Sequence, residues 1–325
     1  MRAATLIYNP VAGRHPERRE KQIRRAAVEL RQAGIDARIA QTSGPGAARE
    51  IARDAARQDG TLILVCGGDG TINEVVNGLA PGPATLGILP GGTANIIAKE
   101  LGLSHDPVRA ARELPGWQPR RIPLGLATWA AGPEGPVNLT GPTGLNGSSG
   151  APREQRYFLS VAGVGFDAHV VYKLSTDFKM SWGVIAYSVQ AIREALRHSF
   201  PVIVCGMEGR ESRGTFVVIQ RTRRYAGWLD LVPGARFFDP TFNVCVFRSR
   251  NRFRYFLYAA AVFARQHVKL GDVELARARH VDCRAAQTGA RVRFELDGEL
   301  AGELPARFDL VPEALTLLVP PKWIT

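Results

Sequence analysis

Through the first third of the chain, short apolar runs alternate with stretches of helical periodicity. The strand-like Thr5-Leu6-Ile7-Tyr8 is followed by a segment with Ile23, Ala27 and Leu30 on one helix side. Ile35 to Ile39 alternates apolar and polar residues as a half-buried strand does, and an alanine-rich helix near Ala47 to Ala56 follows. Leu62-Ile63-Leu64-Val65 is a buried strand leading into the glycine cluster Gly67 to Gly70, after which Ile72, Val75, Val76 and Leu79 return to helical spacing. The design repeats, with Leu86-Gly87-Ile88-Leu89 as strand, Pro90-Gly91-Gly92-Thr93 as loop and a helix carrying Ile97 and Leu101. Strand and helix in alternation predict a parallel sheet with helices on its faces, two glycine loops opening at one sheet edge.

After Pro123 the pattern changes. Residues Ala130 to Pro152 are rich in glycine, proline, serine and asparagine and read as a long flexible loop. Beyond it the predicted elements are mostly strands: Tyr157 to Val161, Val202 to Cys205, Thr215 to Gln220, Phe242 to Phe247, Val273 to Cys283, Val292 to Leu296 and Leu315 to Val319. Two helices interrupt them, one carrying Trp182, Ile185, Val189, Ile192 and Leu196, the other running from Phe253 to Arg265. The expected organisation is an α/β domain over 1–125 and a mainly β domain over 126–325. In it 130–152 is a flexible insertion, and the last strand is expected to return to the first domain.

Composition adds less. At 325 residues, 45% apolar and 22% charged, the chain suits two packed cores and excludes wholesale disorder. The formal charge of +12 points to phosphates, nucleic acid or anionic lipid as partners without choosing among them. Cys66, Cys205, Cys245 and Cys283 lie far apart and lack paired zinc-ligand spacing, so a reducing compartment is expected. Met1 and Arg2 lead directly into a strand, and the longest strongly apolar run, Tyr255 to Ala264, falls well short of the roughly 20 residues of a membrane-spanning helix. The expectation is a cytoplasmic protein whose membrane contact is peripheral.

Chemistry concentrates in Gly67-Gly68-Asp69-Gly70-Thr71. A helix N-terminus after a buried strand presents backbone N–H groups and the positive end of the helix dipole to an anion. Glycine allows close backbone approach, Asp69 supplies a carboxylate suited to a magnesium-bound phosphate, and the Thr71 hydroxyl can cap the helix or donate to an oxygen. Asn73, Glu74 and Asn77, on the helix that follows, either support the loop or merely solvate the helix.

Asn9-Pro10-Val11-Ala12-Gly13, then GGDGTINEVVNGL over Gly67 to Leu79, then GILPGGTANIIA over Gly87 to Ala98, together resemble the diacylglycerol kinase catalytic-domain family in content, order and spacing. Downstream, Gly163 to Ala168 and Asp297-Gly298-Glu299 resemble the family's glycine-Phe-Asp-Ala and Asp-Gly-Glu segments. The resemblance implies an α/β nucleotide domain, a β-sandwich domain and an active cleft between them, as in NAD kinases and phosphofructokinases. It implies that Asn9, Pro10, Val11, Ala12, Gly13, Thr42, Gly67, Gly68, Asp69, Gly70, Thr71, Ile72, Asn73 and Thr93 contact ATP, with magnesium accompanying the nucleotide. It further implies that Glu299, with Asp297 before it, deprotonates a lipid hydroxyl for attack on the γ-phosphate, which suits the needs of phosphoryl transfer. Read alone, Asp297-Gly298 is a hairpin turn, and which carboxylate takes the proton stays open.

One departure stands out. Pro233-Gly234-Ala235 and Asp239 resemble the family's structural-magnesium segment, in which the carbonyls of Arg236 and Thr241 join Asp239, yet Pro240 replaces a glycine. Proline fixes φ and removes an N–H, altering that loop. Arg248, Arg250, Arg252, Arg254 and Arg265 interleave with Phe253, Tyr255, Phe256, Leu257 and Phe263, a composition suited either to an anionic membrane surface or to a packed helix with solvated arginines. The implied function is ATP-dependent phosphorylation of a membrane lipid at the inner membrane face, with diacylglycerol as the leading acceptor and nucleic acid not a partner. A sphingoid base, another lipid or NAD as acceptor, a non-catalytic nucleotide- or membrane-binding regulator, and assembly as a homodimer stay open.

Overall fold

The computed structural model describes residues 2–13, 15–57, 61–130, 153–166, 168, 201–225 and 229–324. The expected glycine-rich loop at 130–152, apart from its first residue, the helix through Trp182 and Leu196, and Asp167 lie outside them. The chain divides into two compact units, one of residues 1–124 and 311–325, the other of 125–310.

The first unit runs β1 (Arg2–Tyr8), α1 (Arg19–Gln32), β2 (Ile35–Gln41), α2 (Ala47–Ala55), β3 (Leu62–Gly67), α3 (Asp69–Leu79), β4 (Thr85–Pro90), α4 (Ile96–Leu101) and α5 (Pro107–Glu113). The strands pair in parallel in the order β2-β1-β3-β4, so the sheet's connections reverse direction between β1 and β3. Loops leaving the carboxyl ends of β1 and β3 therefore flank a topological switch point, where open α/β sheets bind ligands. β3 and β4 are almost wholly apolar because both their faces are covered. On α1 the buried residues are Arg19, Ile23, Ala26 and Leu30, a stripe at helical spacing whose first member is an arginine.

The chain leaves through β5 (Gln118–Ala130), a strand that contains Pro119 and continues through Pro123, where the sequence pattern changes. The second unit continues with β6 (Arg153–Phe158), β7 (Val161–Gly165), β8 (Ile203–Met207), β9 (Arg210–Gly214), β10 (Phe216–Gln220) and β11 (Phe242–Phe247). After them come α6 (Arg252–Phe263), β12 (Val273–Ala278), β13 (His280–Ala285), β14 (Arg293–Leu296), β15 (Glu299–Glu303) and β16 (Ala306–Val319). One antiparallel sheet has the order β12-β11-β10-β7-β14-β15. In the other, β13 lies between β8 and residues Ala306–Asp309 of β16, and β9 flanks β8. The end of β16 belongs to the first unit, where Thr316 and Leu317 pair in parallel with β4.

Residues of both sheets, among them Phe158, Val217, Val244, Val281, Phe294 and Phe308, form the sandwich core. Tyr255, Tyr258 and Val262 of α6 cover the other face of the six-stranded sheet, packing with Val218, Cys245 and Phe247. The α/β and all-β expectation is therefore borne out. Two expected strands split. Tyr157–Val161 is broken at Leu159-Ser160 between β6 and β7, and Val273–Cys283 is broken at Arg279, because β12 pairs with β11 while β13 pairs with β8 and β16 in the other sheet.

Candidate active site

In the first unit three glycine turns meet backbone to backbone. The Gly91 N–H donates to the Gly67 carbonyl at 3.0 Å. A Cβ on Gly92 would lie 2.3 Å from the Gly68 Cα, and one on Gly13, whose φ is +83°, would lie 2.7 Å from the Gly91 oxygen. No side chain can enter these contacts, which is why glycine occupies them. Gly68 is the N-cap of α3, whose opening N–H groups have no intrahelical acceptor, so the turns frame a positive helix end.

The sequence-predicted residues take distinct places around this frame. Asn9 donates from Nδ2 to Thr71 Oγ1 at 3.2 Å and accepts the Val11 N–H on Oδ1 at 3.0 Å, fastening the Asn9–Gly13 turn to the first turn of α3. Asp69 Oδ1 accepts the Ile96 N–H at 2.7 Å, capping α4 from the neighbouring loop, while Asn95 exchanges two hydrogen bonds with the Gly92 backbone. Thr93 is exposed at the crest of its loop. Buried Thr42 pairs through its N–H with Tyr8. Ile72 is fully buried in the core and its N–H returns to the Gly68 carbonyl, so its side chain contributes packing. Asn73 is buried and accepts from Asn77 Nδ2. Glu74 caps α2, accepting the N–H groups of Gly46 and Ala48, which gives it a structural role.

Sequence reasoning missed Arg19. Its buried guanidinium donates to the Gly91 carbonyl at 2.5 Å and the Ala12 carbonyl at 3.0 Å, holding two of the three turns from below. The signal was its position on the apolar stripe of α1, where a charged residue needs a specific set of acceptors.

In the second unit, Asp297 and Gly298 have φ of +51° and +85° and form the two-residue turn joining β14 to β15. The Asp297 carboxylate accepts three backbone N–H groups, from Ser160 at 2.7 Å, Leu159 at 2.8 Å and Val161 at 3.0 Å. It thereby makes the bend that splits β6 from β7. Buried Glu295 accepts the Gly298 N–H at 2.5 Å and pins the same turn. Glu299, about half exposed, pairs with Arg156.

The Asp239 loop closes on itself. The Asp239 N–H donates to the Arg236 carbonyl at 3.0 Å, and Asp239 Oδ2 accepts the Arg236 N–H at 3.1 Å and Asn243 Nδ2 at 3.5 Å. Beneath it, fully buried Arg221 donates to the carbonyls of Phe237 at 3.1 Å and Leu159 at 3.2 Å. Burial pulls its guanidinium down to about 10, with the charges of Asp297 and Asp239 pushing back, so it stays cationic at neutral pH. Among the described residues no group of three or more His, Cys, Asp or Glu side chains could hold a metal ion.

An α/β unit with glycine turns gathered at a helix N-terminus, carried with an antiparallel β-sandwich, defines the architecture of a phosphate-handling enzyme. Residues 3–127 match the diacylglycerol kinase catalytic domain and residues 160–319 match the YegS C-terminal NAD kinase beta sandwich-like domain. The diacylglycerol kinase of Bacillus subtilis is 28% identical over 314 residues, spanning 95% of this chain and 93% of the relative. That of Mycobacterium tuberculosis is 28% identical over 327 residues, spanning 97% and 94%. A crystal structure of a diacylglycerol kinase from Bacillus anthracis shares the fold with a TM-score of 0.73 at 22% identity, covering 99% of this chain and 98% of that one. The chain belongs to the diacylglycerol kinase catalytic-domain family and is a lipid kinase. No helix among the described residues is long and apolar enough to cross a membrane.

Proposed function

We propose that the protein transfers the γ-phosphoryl group of ATP to a hydroxyl of a membrane-resident lipid, with diacylglycerol the leading acceptor. The observation that carries this reading is the convergence of Gly13, Gly67, Gly68, Gly91 and Gly92 at the N-terminus of α3. Their backbone accommodates a triphosphate where side chains would collide, and the helix end stabilises its charge. Asn9 to Gly13, Thr42, Gly67 to Asn73 and Thr93 form the nucleotide site, Asp69 and Asn95 fixing the relation of two of the turns. Magnesium supplied with ATP neutralises triphosphate charge.

Glu299 is the base in this reading, because the Asp297 carboxylate is committed to three backbone N–H groups whereas Glu299 is solvent-accessible and held only by a side chain. The acceptor oxygen bonds to the γ-phosphorus, its proton passes to Glu299, and the bond from that phosphorus to the bridging oxygen breaks to release ADP. Asp297 positions the turn that carries Glu299.

We read the Asp239 loop as held by protein groups. Asp239 would be the sole anionic ligand among the proposed oxygens, both it and the Arg236 carbonyl already close the turn, and Arg221 supplies a buried positive charge nearby. This donor set does not fit a structural magnesium ion well, and no step above uses one.

The test is labelled-phosphate transfer from ATP to diacylglycerol, a sphingoid base and NAD in parallel. Label in diacylglycerol is expected; label confined to NADP, or to none of the three, would overturn the assignment.

A further inference from the structure

Two consecutive peptide units at the bend between β6 and β7 are each bonded at both ends, to Arg221 on the carbonyl side and to Asp297 on the N–H side. In the unit joining Leu159 to Ser160, the carbonyl oxygen accepts Arg221 Nη1 at 3.2 Å and the N–H donates to Asp297 Oδ1 at 2.7 Å. In the unit joining Ser160 to Val161, the carbonyl accepts the Arg221 backbone N–H at 2.8 Å and the N–H again donates to Asp297 Oδ1, at 3.0 Å. Ser160 Oγ and Thr222 Oγ1, 2.9 Å apart, share a further hydrogen bond on the Arg221 side. The first unit thus lies with its dipole between a buried cation and a carboxylate, an arrangement in which each hydrogen bond polarises and strengthens the next.

Both ends of this relay lead elsewhere. The second amino group of Arg221, Nη2, donates to the Phe237 carbonyl at 3.1 Å, and the guanidinium carbon lies 5.3 Å from the centre of the Phe237 ring, so the Asp239 loop is fastened to the same side chain. At the other end, the Asp297 N–H donates to the Val161 carbonyl at 2.9 Å, and Glu299 opposes Leu296 across the two-residue turn that Asp297 begins. The bend therefore connects Arg221 to the start of β15, where Glu299 stands.

We infer that Arg221 is a positioning residue for phosphoryl transfer: acting through the Leu159–Val161 bend, it fixes the Asp297 turn and with it the placement of the Glu299 carboxylate. This rests on the reading of Glu299 as the base. A base works within hydrogen-bond reach of the hydroxyl it deprotonates, and a misplacement of about 1 Å costs on the order of a hundredfold in rate. The planar fork of Arg221 reaches two carbonyls at once, which the point charge of a lysine does not reproduce.

The test compares wild type with Arg221→Met, Arg221→Lys and Thr222→Val, each assayed well below its unfolding midpoint on a short-chain diacylglycerol in solution. Arg221→Met is expected to lower kcat by about thirtyfold while KM for ATP stays within about twofold, whereas a residue that only stabilised the fold would leave kcat of the folded enzyme unchanged. Arg221→Lys should recover less than about a third of the lost rate, and Thr222→Val should lose about threefold in kcat. Hydrogen exchange by mass spectrometry should show the amides of 159–161 exchanging about tenfold faster in Arg221→Met, with β3 at its wild-type rate. Wild-type kcat or wild-type exchange at 159–161 in Arg221→Met would overturn the proposal. If that variant does not fold, wild-type kcat in both Arg221→Lys and Thr222→Val would do so. Full turnover in Glu299→Gln would overturn the base assignment and this role with it, while an inactive Glu299→Gln beside a fully active Arg221→Met would overturn the positioning role alone.

Discussion

The Arg19 guanidinium lies 2.5 Å from the carbonyl oxygen of Gly91, across 72 residues of sequence. With its second carbonyl contact, at Ala12, it joins the turn after β1 to the turn after β4. Arg19→Met keeps much of the stem but deletes both bonds. The expected result is a loss of about 3 kcal/mol in urea unfolding and a KM for ATP raised by about tenfold or more. Unchanged ATP affinity would show that the turns hold their geometry without the clamp.

Asp69 separates two roles by substitution. Asparagine can still accept the Ile96 N–H, while alanine cannot. Asp69→Asn should therefore unfold at nearly the wild-type temperature yet lose turnover by about two orders of magnitude or more, reporting on the charge. Asp69→Ala should lose turnover and about 1–2 kcal/mol of stability. Full turnover in the asparagine variant would assign Asp69 to architecture alone.

The Asp297 hairpin gives an opposite pair of outcomes. Glu299→Gln changes a half-exposed side chain and should abolish lipid phosphorylation with little change in stability. Asp297→Ala strands three backbone donors and should cost about 3 kcal/mol. Measured kcat and unfolding free energy distinguish them; a fully active Glu299→Gln enzyme would exclude that residue as the base.

Arg221 and the Asp239 loop predict a response to chelation. Nucleotide-free protein should show the same thermal midpoint with and without EDTA, while Arg221→Ala should lose about 3 kcal/mol by leaving the Phe237 and Leu159 carbonyls without their buried donor. A midpoint that falls on chelation and recovers with magnesium would restore the metal to this loop.

Stability should depend on pH through Asp272 and Tyr258. The hydrogen bond from Arg254 holds the Asp272 carboxyl below its ordinary value of 3.8, so its contribution is complete above that value and is lost as pH falls through the lower folded value. Burial raises the Tyr258 hydroxyl from 10.0 to about 12, so its contribution is present below 10 and fades as pH rises towards 12. Unfolding midpoints followed across pH should show both slopes. In Asp272→Asn the acid slope should flatten, and the difference from wild type should be largest near neutrality.

Much of the first unit was legible because each signal was local. The parallel strands follow from continuous apolar runs, and the glycine loops stand directly after β3 and β4. The split of Tyr157–Val161 was not legible, since the bend is set by Asp297, more than a hundred residues away. The break at Arg279 was hidden for a similar reason: β12 and β13 have similar composition and differ in the sheet that receives them. The pattern changes after Pro123, yet β5 runs on through that proline to Ala130. The pairing of Arg254 depends on Asp272, outside the helix.

The sequence by itself determined the order of elements, the glycine turns that follow β3 and β4 and the family resemblance, because these reside in periodicity and in residues close along the chain. Only the tertiary structure decided that Arg19 clamps the turns, that Asp297 is consumed in backbone hydrogen bonds and that Arg254 is paired with Asp272. Each depends on groups that folding brings within hydrogen-bond distance, and linear spacing does not record that.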